Sequence, residues 1–325
     1  MELQILNNNG VVPVEEIHQA NEERFITANT LPLTLQEIKT KHIIPVFTKD
    51  NSPLVSQADF ITTAKEVVEE LSGHTTNNLA VRVSHPIKGR IFEARNKKAS
   101  ELLDHEKTIY YERMAFSFDL PDVYDIVNGQ HLTLSVVGVK AYNLDKLSGK
   151  EGSLQHFKIG IGYKVKVCTN LCLWTDGTST DLRVRNLQDL TDGIYELVEG
   201  SDFVGQIQAL KQLGDYELSE MQFANLLGRA RMYNHLPKEM KKEIPPLLIS
   251  DSQVSTVTRQ YYGDDVFKRA GSGTINLWNL YNLFTDAVKS SYIDTFLDRN
   301  LNAYNFSKGI AEALEGDSPY NWFLN

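Results

Sequence analysis

The spacing of apolar residues changes in the middle of this chain of 325 residues, and that change constrains the fold more than any other feature. From residue 79 to about residue 173, apolar residues recur at every second position in several segments. The longest such run comprises Phe157, Ile159, Ile161, Tyr163, Val165 and Val167. After Asn186 they recur at helical spacing instead. Because a period of two is typical of strands and a period near 3.6 of helices, the sequence predicts an α+β protein whose strands precede its helices.

Three shorter segments of the first half alternate in the same way, at residues 79–83, 114–118 and 132–136. Asn128-Gly129 separates the last two segments and is a strong hairpin-turn signal. Strands that are joined mainly by turns predict a largely antiparallel sheet with flanking helices. We expect one face of this sheet to be packed and the other face to be open to solvent.

Capping residues mark where helices begin and end. Ser56 followed by Asp59 predicts the start of a helix that Gly73 ends. Ser219 with Gln222 predicts the same kind of start for a helix in the second half. The amphipathic pattern continues from there to the C-terminus, which predicts an all-helical C-terminal half.

The chain is longer than the ~250–300 residues at which a single core stops growing, and this favours two domains. We predict a mobile, Asn-rich N-terminal segment at residues 1–30, a β-rich α+β domain at 31–195 and a helical domain at 196–325. Within the β-rich domain, residues 31–55 contain three prolines and predict extended structure and turns, whereas residues 94–107 predict a helix.

Composition favours a soluble protein in a reducing compartment. The net charge of -9 and the pI of about 5.4 favour solubility. No run approaches the ~18–20 apolar residues of a membrane span, and the first residues lack a signal-peptide pattern, so we expect a cytoplasmic protein with no membrane partner. Cys168 and Cys172 lack a histidine pair at ligand spacing, so neither a metal nor a cofactor is predicted.

Two basic segments stand out in this acidic chain. The first has six cations against the single acid Glu93, a local charge of +5. Its cations are Arg82, Lys88, Arg90, Arg95, Lys97 and Lys98. The second is the even-numbered face of the long strand, which carries Lys158, Lys164 and Lys166 with two glycines between them. Because glycine has no side chain, a phosphate backbone would be able to approach lysines that are separated by glycines. The alternative is that lysines on an open sheet face serve solubility alone.

Two features of the helical half allow other functions. Asp294 and Asp298 are spaced to share one helical face, where two carboxylates would hold a divalent metal or would pair with a local arginine. The aromatic-rich helices between residues 277 and 323 predict either a core or an interface between subunits. The sequence has none of the common catalytic motifs, such as G-x-S-x-G or H-E-x-x-H, so a binding role is expected rather than an enzymatic one.

Several long motifs carry a family resemblance. They are HIIPVF at 42–47, KVCTNLCLWTDG at 166–177, NLWNLYN at 276–282 and SSYIDTFLDR at 290–299. From about residue 35 to the C-terminus, the chain resembles an uncharacterised domain-of-unknown-function family of Bacteroidetes and their mobile elements. That family is distantly similar to phage/plasmid-like proteins. The resemblance implies a setting in prophages, plasmids or conjugative elements, and it implies no catalytic residues.

Three functional hypotheses result. The leading hypothesis is a non-enzymatic accessory protein of a mobile genetic element that binds nucleic acid, preferentially single-stranded, through the basic face of the sheet. The second is a protein that uses the aromatic helices either to bind another protein or to self-assemble as a structural homo-oligomer. The third is a metal-dependent nuclease that uses Asp294 and Asp298.

Overall fold

A computed structural model of the protein describes residues 26–42, 55–145, 154–173 and 179–325. The strands are β1 (Leu31–Pro32), β2 (Asn77–Val83), β3 (Ile87–Arg90), β4 (Lys107–Tyr110), β5 (Arg113–Val127), β6 (Gln130–Ala141), β7 (Gln155–Val165), β8 (Leu171–Leu173), β9 (Ser179–Val184), β10 (Glu217–Leu218) and β11 (Ile275–Asn276). The helices are α1 (Leu35–Lys41), α2 (Gln57–Ser72), α3 (Leu187–Glu199), α4 (Phe203–Gln212), α5 (Glu220–His235), α6 (Lys238–Lys241), α7 (Asp251–Gly263), α8 (Leu277–Val288) and α9 (Ile293–Glu315).

Seven strands form one sheet in the order β1-β2-β5-β6-β7-β8, and β9 pairs with β7 beside β8. Every ladder of this sheet is antiparallel. The predicted turn between β5 and β6 is present. Asn128 and Gly129 have φ of 48° and 79°, the left-handed values that a tight hairpin requires. The predicted α+β class is therefore confirmed, with helices following the sheet along the chain.

Helix starts follow the predicted capping residues. The hydroxyl of Ser56 accepts from the N–H of Asp59, and the Asp59 carboxylate accepts from the N–H of Ser56, so α2 begins with a capping box. Gly73 ends that helix with φ of 68°. Ser219 and Gln222 form the same arrangement at the start of α5. Local sequence thus determines these boundaries.

Two predictions of local structure are wrong. Residues 31–55 were expected to lack helix, but α1 forms there because Thr34 and Glu37 make a capping box; residues 43–54 lie outside the described part of the chain. The helix expected at 94–107 is replaced by short 3₁₀ turns and the start of β4. Within this segment Nζ of Lys97 lies 2.5 Å from Oε1 of Glu106, and this salt bridge holds its two ends together.

Helices cover both faces of the sheet. On one face the ring of Phe60, from α2, lies edge-on to Phe116 and Phe157 at centroid distances of 5.0 and 4.9 Å. Side chains alternate along a strand, so Lys158 points to the opposite face, where its Nζ lies 2.6 Å from Oδ2 of Asp298 in α9. Because α9 packs across β5, β6 and β8, the expectation of an open sheet face is wrong.

Buried residues of both halves of the chain form one continuous apolar cluster. Polar contacts also cross between the halves: Nδ2 of Asn170 donates to the carbonyl oxygen of Asn282 in α8 at 3.0 Å. Ile26 is fully buried, and the N–H groups of Thr27 and Ala28 donate to the carbonyl oxygen of Lys289. The end of the predicted mobile segment is therefore anchored, and residues 1–25 lie outside the described range.

No helix in the described ranges combines the length and the apolar content that crossing a membrane requires.

Candidate functional site

A pocket of about 320 Å³ opens at one end of the sheet. It lies on the face that α9 covers further along, where Thr133 of β6 pairs directly with Lys164 of β7. Asp119 of β5 and His131 of β6 line it as well. Polar and charged side chains from three adjacent strands thus converge in one concave site, which is the arrangement expected of a ligand pocket.

Two irregularities in the ladders shape this end of the sheet. The register of β2 against β5 shifts between Asn77 and Ala80. In β5, Leu120 pairs with Leu134 and Tyr124 with Thr133, so residues 121–123 have no partner on β6. Bulges of this kind bend a strand and redirect side chains, and they are over-represented next to active sites.

The backbone is strained at two positions in the pocket. Asn78 has φ of 52° and Thr169 has φ of 56°. Asparagine adopts left-handed values fairly often, but for a β-branched residue such as threonine they are unfavourable. Strain of this kind clusters at functional sites, where the surrounding structure maintains it.

Asp119 organises the charges in the pocket. Its carboxylate accepts hydrogen bonds from Ser135 Oγ at 2.7 Å and from Asn78 Nδ2 at 3.2 Å, and it lies 2.5 Å from Nζ of Lys164. Asp119 is buried, whereas Lys164 is half-buried. The aspartate therefore fixes the position of the lysine and cancels its charge.

Lys166 supplies the net positive charge of the pocket. It is exposed, and none of the ion pairs among the described residues involves it. Its backbone N–H donates to the carbonyl oxygen of His131 at 2.9 Å, which places the two residues side by side. Nδ1 of His131 is buried and has no hydrogen-bond partner among the described residues. With Lys164, Lys166 and Asp119 charged, the pocket carries +1 and presents polar groups to an anion.

The structure separates the three lysines predicted on the long strand. Lys164 and Lys166 meet in the pocket, but Lys158 lies six residues away, about 20 Å along β7, beneath α9. Gly162, which lies between them, does not leave room for a phosphate. A Cβ at Gly162 would lie 2.4 Å from the carbonyl oxygen of Cys172, so the close approach is made by β8.

The basic residues between 82 and 98 do not join the pocket. Residues 84–112, here called the insert, connect β2 to β5 at the opposite end of the sheet. Arg82 is buried, and its guanidinium donates to Oγ1 and to the carbonyl oxygen of Thr30. Arg90 donates to the carbonyl oxygen of Lys97, whose ammonium pairs with Glu106. Of the six cations predicted between 82 and 98, Lys88, Arg95 and Lys98 are exposed.

The two carboxylates considered for metal binding, Asp294 and Asp298, contact basic or amide side chains from the sheet and from the turn after β6. Asp294 Oδ2 lies 3.4 Å from Nε of Arg113 and 3.3 Å from Nδ2 of Asn143, and Asp298 pairs with Lys158. In the described part of the chain, no group of three or more histidine, cysteine or acidic side chains is placed to hold a metal ion.

Most aromatic residues between 277 and 323 are inside the molecule, although Tyr292 is 75% exposed. Trp278 and Tyr281 of α8 and Phe306 of α9 are at most 1% exposed, so they build the core of the chain itself. Tyr111 of the insert is also buried, and its ring stacks on that of His42.

A second polar cluster, at the insert end of the sheet, is mostly buried. Lys140 Nζ donates to Asp145 Oδ2 at 2.6 Å, and burial lowers the pKa of Lys140 to about 8. His42 stacks on Tyr142 as well as on Tyr111, and burial lowers its pKa to about 4. Since Lys140 is completely buried, the cluster belongs to the interior of the protein rather than to a ligand site.

The fold and the pocket together define an α+β protein in which helices cover both faces of an antiparallel sheet and a polar site opens at one end. The chain belongs to the family DUF3871, described as "Domain of unknown function, B. Theta Gene description", whose model matches residues 5–324. The resemblance to a domain-of-unknown-function family of Bacteroidetes is thereby confirmed. No curated protein and no solved structure matches the chain.

Proposed function

We propose that the protein binds single-stranded nucleic acid through the pocket at the bulged end of the sheet, as an accessory protein rather than as an enzyme. The observation that carries the proposal is Lys166, an exposed cation without an acidic partner among the described residues, beside a buried and unpaired nitrogen of His131. Lysine binds phosphate as a point charge, and phosphate contacts dominate the affinity of proteins for nucleic acid.

The rest of the pocket supports an anionic ligand. Lys164 is held by Asp119 and can share its remaining N–H donors with a phosphate oxygen. The side chains of Asn77, Thr133 and Thr169 add uncharged hydrogen-bonding groups around the same opening. A cavity of about 320 Å³ is at the small end of the range for ligand pockets, roughly 300–1,000 Å³, and therefore suits one nucleotide rather than a duplex.

The proposed setting is a mobile genetic element. It is supported by the sequence motifs at residues 166–177 and 276–282, which resemble those of phage/plasmid-like proteins. Mapping the genes that neighbour members of the family checks this part of the proposal. Neighbouring genes for replication, conjugation or phage structure would support it, whereas family members that lie consistently among housekeeping genes would contradict it.

Fluorescence anisotropy with a labelled oligothymidylate tests the binding proposal, at two salt concentrations. We expect Lys166→Gln to weaken binding by about tenfold, since a hydrogen bond to a charged group contributes about 1.5–3 kcal/mol. It should also make the slope of log K against log salt less negative by about 0.7, the contribution of one phosphate contact on a single strand.

Lys98→Gln is the matched control, because Lys98 is also exposed but lies on the insert at the other end of the sheet. We expect it to bind as the wild type does. If Lys98→Gln weakens binding and Lys166→Gln does not, the binding surface is the insert and the assignment to the pocket is wrong. If the wild type binds no oligonucleotide more tightly than about 10⁻⁴ M at low salt, the nucleic-acid proposal itself fails.

A further inference from the structure

Tyr124 is an exposed aromatic residue at the rim of the pocket. Its side chain is 57% exposed, and its ring stacks on the ring of His131, with centroids 4.9 Å apart and an angle of 18° between the planes. His131 itself lines the pocket. One face of the Tyr124 ring is therefore supported by the protein, in the manner of a stacking platform.

The bulge in β5 places Tyr124 on the same face as the lysines. Along a regular strand Tyr124 would share a face with Leu120, which is buried in the core. Three residues of β5 are unpaired between them, and an odd number inverts the alternation. Tyr124 therefore lies opposite Thr133, which in turn lies opposite Lys164. The backbone positions of Tyr124 and Lys164 are about two strand spacings apart, or ~10 Å.

We infer that Tyr124 stacks an unpaired base whose phosphate contacts Lys164 and Lys166, so that the pocket holds one nucleotide of a single strand. This inference rests on the proposed function and adds the part of the ligand that the lysines do not recognise. A phosphate group alone does not stack on an aromatic ring, whereas a base does. Stacking is tolerant of sequence because every base has a π-face.

Stacking on Tyr124 also predicts a preference for single strands. In a duplex each base lies between its neighbours, so no base face is available to a protein ring without unstacking. In a single strand the bases are free to stack on aromatic side chains while cations follow the backbone. A site that combines one platform with two lysines therefore selects unpaired nucleotides and reads little or no sequence.

Binding of an oligothymidylate and of an abasic oligomer of the same length tests the inference, with Tyr124→Ala and Tyr124→Phe. We expect Tyr124→Ala to weaken oligothymidylate binding by about 5- to 100-fold, the effect of losing one stacked base, with the salt slope unchanged. Tyr124→Phe keeps the ring and should bind as the wild type does. The abasic oligomer should bind wild type and Tyr124→Ala equally.

Tyr292→Ala is the matched control, because Tyr292 is also an exposed tyrosine, at 75%, but lies at the start of α9 near the insert end of the sheet, where Asp294 contacts Arg113. It should leave binding unchanged, and thermal melting should show that all variants are folded. If Lys166→Gln weakens oligothymidylate binding but Tyr124→Ala does not, this inference is overturned and the proposed function survives. If the wild type binds neither oligomer, both are overturned.

Discussion

The ammonium of Lys140 and the carboxylate of Asp145 form an ion pair in the interior of the protein, with 2.6 Å between Nζ and Oδ2. The side chains are 0% and 3% exposed. Nζ also lies 3.9 Å from the centroid of the Phe157 ring and donates to the carbonyl oxygen of His156. The charges therefore satisfy each other, and each would be costly to bury without its partner.

Lys140→Met should destabilise the protein by about 3–5 kcal/mol, because it leaves the Asp145 carboxylate buried without a counter-charge. The double variant Lys140→Met/Asp145→Leu should recover most of that loss, since apolar residues of similar volume often replace a buried pair at little cost. Urea denaturation of the wild type, the single variant and the double variant measures both effects. A single variant as stable as the wild type would contradict the finding that the pair is buried.

Stability should fall as the pH falls from about 6.5 towards 4, and His42 should contribute to this. The pKa of His42 is lowered from 6.5 to about 4, because burial between tyrosine rings disfavours the imidazolium. In this window the unfolded chain takes up a proton that the folded chain does not, so protonation favours unfolding. Above pH 6.5 the contribution is constant.

Urea denaturation at several pH values checks this, with His42→Phe for comparison. Phenylalanine keeps an aromatic ring between the tyrosines and cannot take up a proton, so the stability of this variant should fall less steeply over the same window. Equal slopes for the two proteins would show that His42 is protonated in the folded state as easily as in the unfolded state.

Two glycines should respond in opposite ways to alanine. A Cβ at Gly138 would lie 2.2 Å from Cε1 of Phe116 and 2.9 Å from Cζ of Phe60, so Gly138→Ala should cost about 1–3 kcal/mol or more by overpacking. At Gly228, within α5, no atom lies within 4 Å of a Cβ, so Gly228→Ala should add about 0.5–1 kcal/mol of helix stability. Melting temperatures that move in the same direction would contradict this contrast.

The strained backbone of Thr169 gives a prediction about the pocket. Because φ is 56°, Thr169→Gly should be more stable than Thr169→Ala, by about 0.5–1 kcal/mol, since glycine alone adopts this conformation without a Cβ penalty. Both variants lose the hydrogen bond from Oγ1 to the carbonyl oxygen of Cys168, so their comparison isolates the backbone. Denaturation curves that place the alanine variant at or above the glycine variant would exclude strain at this position.

Local signals were sufficient for much of the fold. Ser56, Gly73 and Ser219 mark helix ends because each acts through hydrogen bonds or backbone angles within a few residues. The hairpin at Asn128-Gly129 was predictable for the same reason. Alternation likewise identified the four longest strands, since it reports which side chains share a face.

Contacts between distant residues were not predictable. Alternation placed Lys158 on one face of β7 but could not show that Asp298, 140 positions later, covers that face. The pocket was missed for a related reason. Its rim depends on three unpaired residues in β5, and strict alternation would have assigned Tyr124 to the core together with Leu120. The two pocket lysines were found because charge is visible in the sequence, but their neighbours His131 and Asp119 were not.

The insert and the pocket are at opposite ends of strands that run for about 23 Å between the rows of Phe157 and Lys164. A fluorophore or a surface tether attached to an exposed residue of the insert, such as Lys98, would therefore stand clear of anything that enters the pocket. The attachment point on the insert and the pocket are therefore at opposite ends of the sheet. That geometry suits immobilised or single-molecule assays, in which a ligand has to arrive from free solution.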